Sequence, residues 1–336
     1  MACSPKLRSP RQVFILDEVP TVQLDHYRSV QDRPGQDSSI AVGLAISGGG
    51  ARAYNFAMGV LLGLEQIEGP GSNILEEVDY VSTVSGGSFA GGAFIAARYE
   101  HERLGIETPF SLQAHYDTTI QAVFKRSYFL PVVRAWFNPI TVISKLNDGD
   151  ELERSIDRHL LRAKERSKDL GRKESRSIKL GDCFIPKDSL HLPVRHPMMV
   201  SNSTVFTNMA IFPFSPDILD TFQISGFTHN MKRYQNLPAF DPYDLPLAVG
   251  IKASGSFPGA ISNSILESTF DSTYRYLHLI DGGVADNVGF RTALAMLSQD
   301  TVAKKKILLV VDADGMGRVR TFDKKKSGIL WLRVLF

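Results

Sequence analysis

The sequence predicts an α/β fold built on a parallel sheet. Two observations carry this. A strand, a glycine-rich turn and a helix follow one another twice near the start, and a later apolar strand ends in an acid and two glycines. Sheets of this kind place their sites at the carboxyl ends of the strands.

The first unit begins with Ser38 to Ser47, a nearly continuous apolar run, as a strand buried on both faces requires. It feeds Gly48-Gly49-Gly50-Ala51-Arg52. Beyond the turn, Ala53, Phe56, Ala57, Val60, Leu61, Leu64 and Ile67 recur at helical spacing and stop at Gly69-Pro70. In the second unit Val78–Val84 reads as a strand and Ser85-Gly86-Gly87-Ser88 as its turn. Phe89–Tyr99, rich in Ala and Gly, reads as the helix.

Residues 108–180 read as helical, with a charged stretch from Glu151 to Lys173. Further strands are expected near Met198–Phe206, Leu277–Ile280 and Ile307–Asp312, and a helix over Leu247–Ser254. No linker stands out. The expected organisation is an arm or leader over 1–37 and a single domain over 38–315, with a helical insertion around 105–180. A basic and apolar segment follows over 316–336, and its apolar end, Leu335-Phe336, is consistent with a truncated chain.

The 336 residues are 43% hydrophobic and 22% charged, the profile of a folded protein with a sizeable core. A net charge of +2 gives no case for a nucleic-acid binder. The charge is unevenly spread, however. Residues 301–336 hold nine Lys or Arg against three Asp, and residues 151–180 hold ten basic against six acidic residues. The rest of the chain is therefore acidic. Two cysteines, Cys3 and Cys183, are too few for a disulfide scaffold or a cysteine zinc site. Cys3 lies where a bacterial envelope lipoprotein carries its lipid; an ordinary free thiol is the alternative. A cytoplasmic and a membrane-associated location both stay open. No apolar run is long enough to span a bilayer.

Three turns carry candidate chemistry. Ser85 lies between a buried strand and a helix, where a sharp turn would hold its hydroxyl at the sheet rim. Gly87 meets the need for a small residue two positions on, whereas Thr83 stands where glycine is commonest. Taken alone, Ser85 could simply cap a helix. Gly48, Gly49 and Gly50 free a backbone to present N–H groups to an anion, such as the oxyanion of acyl transfer, and Arg52 is placed to orient that loop. Gly48-x-Gly50-x-x-Ala53 also fits a dinucleotide fingerprint, but the second strand ends in Ser-Gly-Gly rather than in the acid a ribose needs. Asp281 closes the strand Leu277–Ile280 and precedes two glycines; Asp286 is a nearby competitor.

None of the eight histidines follows Asp281. A Ser-Asp-His triad would have to pair an earlier acid, Asp241 or Asp244, with His278. His278 alternates with apolar Leu277 and Leu279, as a structural strand residue does. A Ser85–Asp281 dyad is simpler. It requires Asp281 to be partly buried, so that it is basic enough to take the serine proton.

In order and spacing, Gly48–Arg52, Val84–Ser88 and Asp281-Gly282-Gly283 resemble the patatin-like phospholipases. So does Ala253-Ser254-Gly255-Ser256-Phe257-Pro258, a Ser-rich, Pro-ended block upstream of the aspartate. The resemblance covers roughly residues 40–312. It implies a three-layer α/β/α sandwich with a mainly parallel central sheet and hydrolysis of lipid acyl esters without metal or cofactor. It further implies Ser85 as nucleophile, Asp281 as base and residues 48–50 as the oxyanion hole. A triad esterase and a non-catalytic nucleotide-binding protein are the alternatives. The substrate would be a phospholipid or related lipid. Lys304–Lys306 precedes an apolar strand and could simply be solvated. Lys324–Lys326, beside Trp331 and Phe336, suits contact with an anionic membrane surface; a helix packed on the body is the alternative. Nothing in the sequence identifies an activating protein partner.

Overall fold

The computed structural model describes residues 21–30, 36–70, 72–106, 109–125, 148–166, 173–189, 196–227, 240–269 and 276–313. Cys3 and the basic, apolar segment 316–336 lie outside the described residues, as do parts of the expected insertion.

Strand β1 (Ile40–Ile46) and strand β2 (Val78–Val84) form where the apolar runs predict them, and β2 is buried along its whole length. Helix α1 (Gly50–Glu65) starts directly on the third glycine and buries Ala53, Ala57, Met58 and Leu61. Its buried face is narrower than the spacing suggests: Phe56 is exposed, and Ile67 lies beyond the helix. Helix α2 (Gly86–Arg103) begins three residues earlier than expected, immediately after Ser85. Its first twelve residues are all buried, because small side chains let it pack between neighbours on every side.

The expected all-helical stretch over 108–180 is only partly helical. Helical turns run through Leu112–Phe124, and α3 covers Asp148–His159. The charged residues that follow form an antiparallel hairpin of β3 (Arg162–Arg166) and β4 (Lys173–Ser177). No apolar period holds that stretch as a helix. Instead, Leu161 and Ile178 are buried at the hairpin base, joined by an N–H···O bond of 3.2 Å.

Strand β5 (Met198–Val205) follows, then β6 (Ile211–Phe214), α4 (Pro216–Thr221), β7 (Ile224–Phe227), α5 (Leu247–Ser254), β8 (Ser264–Ser268), β9 (Tyr276–Asp281), α6 (Phe290–Gln299) and β10 (Lys305–Val311). Strand β6 contains Pro213, which an edge position tolerates. The sheet order is β10-β1-β2-β5-β9-β8-β7, with β6 on β5. Strands β10, β1, β2 and β5 are parallel neighbours, and the pairings beyond β5 are antiparallel. Helices cover both faces, giving the three-layer α/β/α sandwich. Ser82 reaches toward α6, its Oγ bonding the Gly289 carbonyl, while Thr83 beside it packs against Gly91 of α2.

The register brings two strand ends together. Ser201 pairs with both Thr83 of β2 and Phe214 of β6; Thr204 pairs with both Ile280 of β9 and Ile211 of β6. Strand β6 therefore takes one edge of β5, while β2 and β9 share the other. They approach from opposite directions, and their carboxyl ends meet.

Within the arm, Val22, Tyr27 and Val30 are buried against the body. The Tyr27 hydroxyl donates to Asp217 at 2.5 Å, and its ring lies 5.1 Å from that of Phe184. Among the described residues, no helix is long and apolar enough to cross a membrane.

Candidate active site

Val84 ends β2, and the chain turns at once into α2. Ser85 absorbs the turn at φ 48° and ψ −120°, a conformation that strains any residue with a side chain. Such a turn lifts the hydroxyl out of the sheet. The Ser85 Oγ donates to Asp281 Oδ2 at 2.7 Å. The other carboxylate oxygen accepts the Gly283 N–H at 2.7 Å. Asp281 is buried, and burial pushes its pKa above the ordinary carboxylate value; the bonds from Ser85 and Gly283 pull it part of the way back.

The glycine loop lies beside this pair, and its members differ. The Gly48 N–H donates to the Asn287 carbonyl at 2.8 Å. The Gly48 donor is thus engaged within the fold. Gly49 and Gly50 have φ 136° and 63° and are exposed. They stand at the start of α1, where N–H groups lack helical acceptors, and neither N–H has an acceptor among the described residues. Arg52 is exposed on the first turn of α1, with Nη2 3.8 Å from where a Cβ on Gly49 would stand.

Thr83, the departure from glycine two positions before the serine, is fully buried, and its hydroxyl bonds the Val200 carbonyl at 3.2 Å. The room for its methyl comes from Gly91, where a Cβ would stand 2.7 Å from Thr83 Cγ2. The extra carbon on the strand is matched by a missing one on the helix.

His278 does not approach this pair. Its Nδ1 lies 2.8 Å from Asn263 Nδ2, and it lines a cavity of about 740 Å³ with Phe206, Ile261 and Ile280. Strand alternation sends Asp281 to the opposite face. Asp244 pairs with Lys179 at 2.5 Å, and Asp241 caps the Tyr243 N–H. Asp286 bonds the N–H groups of Val288, Gly289 and Arg291. Among the described residues, no group of histidine, cysteine and carboxylate side chains could hold a metal.

The motifs do not mark two supporting residues. Asn202 of β5 donates to Ser82 and to the Thr83 carbonyl, and it accepts from Thr292. Asn287 holds Gly48. Asn202 lies inside a strand and Asn287 four residues past the Asp281-Gly282-Gly283 turn, so only their contacts reveal them.

The fold and this juxtaposition define an α/β protein with a serine–carboxylate pair at the sheet rim. The family model of the patatin-like phospholipases matches residues 44–294, and the chain belongs to that family. The crystal structure of VipD from Legionella pneumophila is similar at 15% identity and a TM-score of 0.30, over 75% of this chain and 47% of VipD. The chain thus corresponds to about half the length of that protein. No curated protein matches.

Proposed function

We propose that the protein is a serine lipid acyl hydrolase that cleaves acyl esters of phospholipids or related lipids through Ser85 and Asp281. The observation that carries this is the 2.7 Å bond from the strained Ser85 hydroxyl to a buried carboxylate of raised basicity.

In the proposed cycle, Ser85 Oγ attacks the ester carbonyl while its proton passes to Asp281 Oδ2. The negative oxygen is received by the N–H groups of Gly49 and Gly50, with Arg52 steadying their loop. Gly86, directly after the nucleophile, adds a third donor, which is also without an acceptor among the described residues. The leaving alcohol takes the proton from Asp281. Asp281 then deprotonates a water that attacks the acyl-serine, and the fatty acid leaves with Ser85 restored.

A lipid substrate suits the surroundings. Phe257 and Val284, close in sequence to Ser256 and Gly283, expose apolar side chains beside the Asp281 turn. Peripheral contact with an anionic bilayer would draw on the basic segment beyond residue 316; Lys304–Lys306 stand at the amino end of β10, the opposite end of the sheet from Ser85.

Labelling with a fluorophosphonate probe, mapped by mass spectrometry, tests the proposal. An adduct on Ser85 is expected. A folded chain that takes none there overturns it.

A further inference from the structure

We infer that Ser254, the last residue of α5, is a positioning residue that holds Ser85 and the Asp281 turn in register. The inference rests on Ser85 being the nucleophile.

A serine hydroxyl offers one donor and two acceptor positions. Ser254 is fully buried and uses all three. It accepts the Ser85 N–H at 2.8 Å and the Ser88 hydroxyl at 3.2 Å, and it donates to the Asn202 carbonyl of β5 at 2.5 Å. Its main chain completes the link, because the Ser254 carbonyl accepts the Gly282 N–H at 3.1 Å. Two residues on, the Ser256 carbonyl accepts the Asp281 N–H at 2.9 Å. One helix end thus holds the peptide nitrogen of Ser85 by a side chain and those of Asp281 and Gly282 by carbonyls.

Ser85 is held at a backbone conformation that it would not adopt unaided, and a strained residue persists only where its surroundings over-determine it. The bond from Ser85 N–H to Ser254 is one such restraint. Without the hydroxyl, the turn relaxes and the serine oxygen leaves its line to Asp281. Misplacement on the scale of 1 Å costs about a hundredfold in rate. Ser254 touches no reacting atom, so substrate binding should not change.

The test compares the wild-type chain with Ser254→Ala, Ser254→Thr and Ser85→Ala. The readouts are kcat and KM for p-nitrophenyl butyrate and the rate of fluorophosphonate labelling, all per folded molecule. For Ser254→Ala, kcat and labelling rate should fall at least tenfold with KM little changed, and Ser254→Thr, which keeps the hydroxyl, should recover most of the loss. A kcat within threefold of wild type, or a loss confined to KM, overturns the inference. If Ser254→Ala does not fold, Ser254→Gly replaces it, and labelling as fast as that of Ser254→Thr overturns the inference. If Ser85→Ala is inactive while Ser254→Ala is unaffected, only the role of Ser254 falls. A wild-type chain that takes no adduct at Ser85 removes both.

Discussion

Gly86 and Gly50 meet backbone to backbone: a Cβ on Gly86 would stand 2.2 Å from the Gly50 carbonyl oxygen and 2.8 Å from its nitrogen. The loop proposed to receive the oxyanion therefore rests directly on the residue after the proposed nucleophile. Gly86→Ala must push that loop away. The expected result is a loss of about a hundredfold in esterase activity and of about 1–3 kcal/mol in stability, read from initial rates and urea midpoints. Unchanged activity would separate the glycine loop from catalysis.

Asp281→Asn should lose about 10²–10⁴-fold in kcat, the usual worth of a general base. Its stability should move the other way. The folded-state pKa of Asp281 is raised, chiefly by burial, so this group stabilises the fold at pH below its unfolded value and loses that contribution as pH rises through the folded value. At pH 7 the buried charge is a cost, and the neutral amide removes it. Thermal melts at pH 7 should place the variant at or above the wild type. The gap should close toward pH 3.

The same raised pKa sets the acid limb of the rate profile. Asp281 must be ionised to accept the serine proton, so kcat should fall as pH drops through a value above the ordinary 3.8. A midpoint at or below 3.8 would contradict a desolvated base.

His278→Ala tests the triad alternative. His278 bonds Asn263 on the opposite face of β9 from Asp281, so ester hydrolysis should stay within about threefold of wild type. A loss comparable to that of Ser85→Ala would reinstate a histidine base.

Lys252 is fully buried on α5, and its Nζ donates to the carbonyls of Ser262 and Asn263 and to the Ser264 hydroxyl. Burial lowers its pKa, while the carboxylates of Glu153, Asp150 and Asp148 act against that. Lys252→Met would leave the Ser262 and Asn263 carbonyls without this donor, at a cost of about 1–3 kcal/mol. Urea denaturation should show it as a lower midpoint; no shift would mean that these bonds do not hold the fold.

Much of the architecture was legible because it is local. Strand β2 and helix α5 lie where apolar runs and helical spacing predict them. The hairpin over Arg162–Ser177 was not legible, since its strands are charged and what holds it is the burial of Leu161 and Ile178 at its base. Nor were β6, β7 and β8, which are too short to show a period.

By itself, the sequence determined which residues occupy strand-end turns, and it named Ser85, Asp281 and the glycine loop, because turn chemistry depends on adjacent residues. Tertiary structure alone decided that β2 and β9 share one edge of β5. That sharing brings Asp281 to Ser85 across 196 positions, and the packing of α5 on β5 brings Ser254 to Ser85 across 169. It also decided that Gly48 spends its N–H on Asn287 and that Gly91 makes room for Thr83. Contacts between distant residues follow from sheet register and helix packing, and neither leaves a periodic mark on the chain.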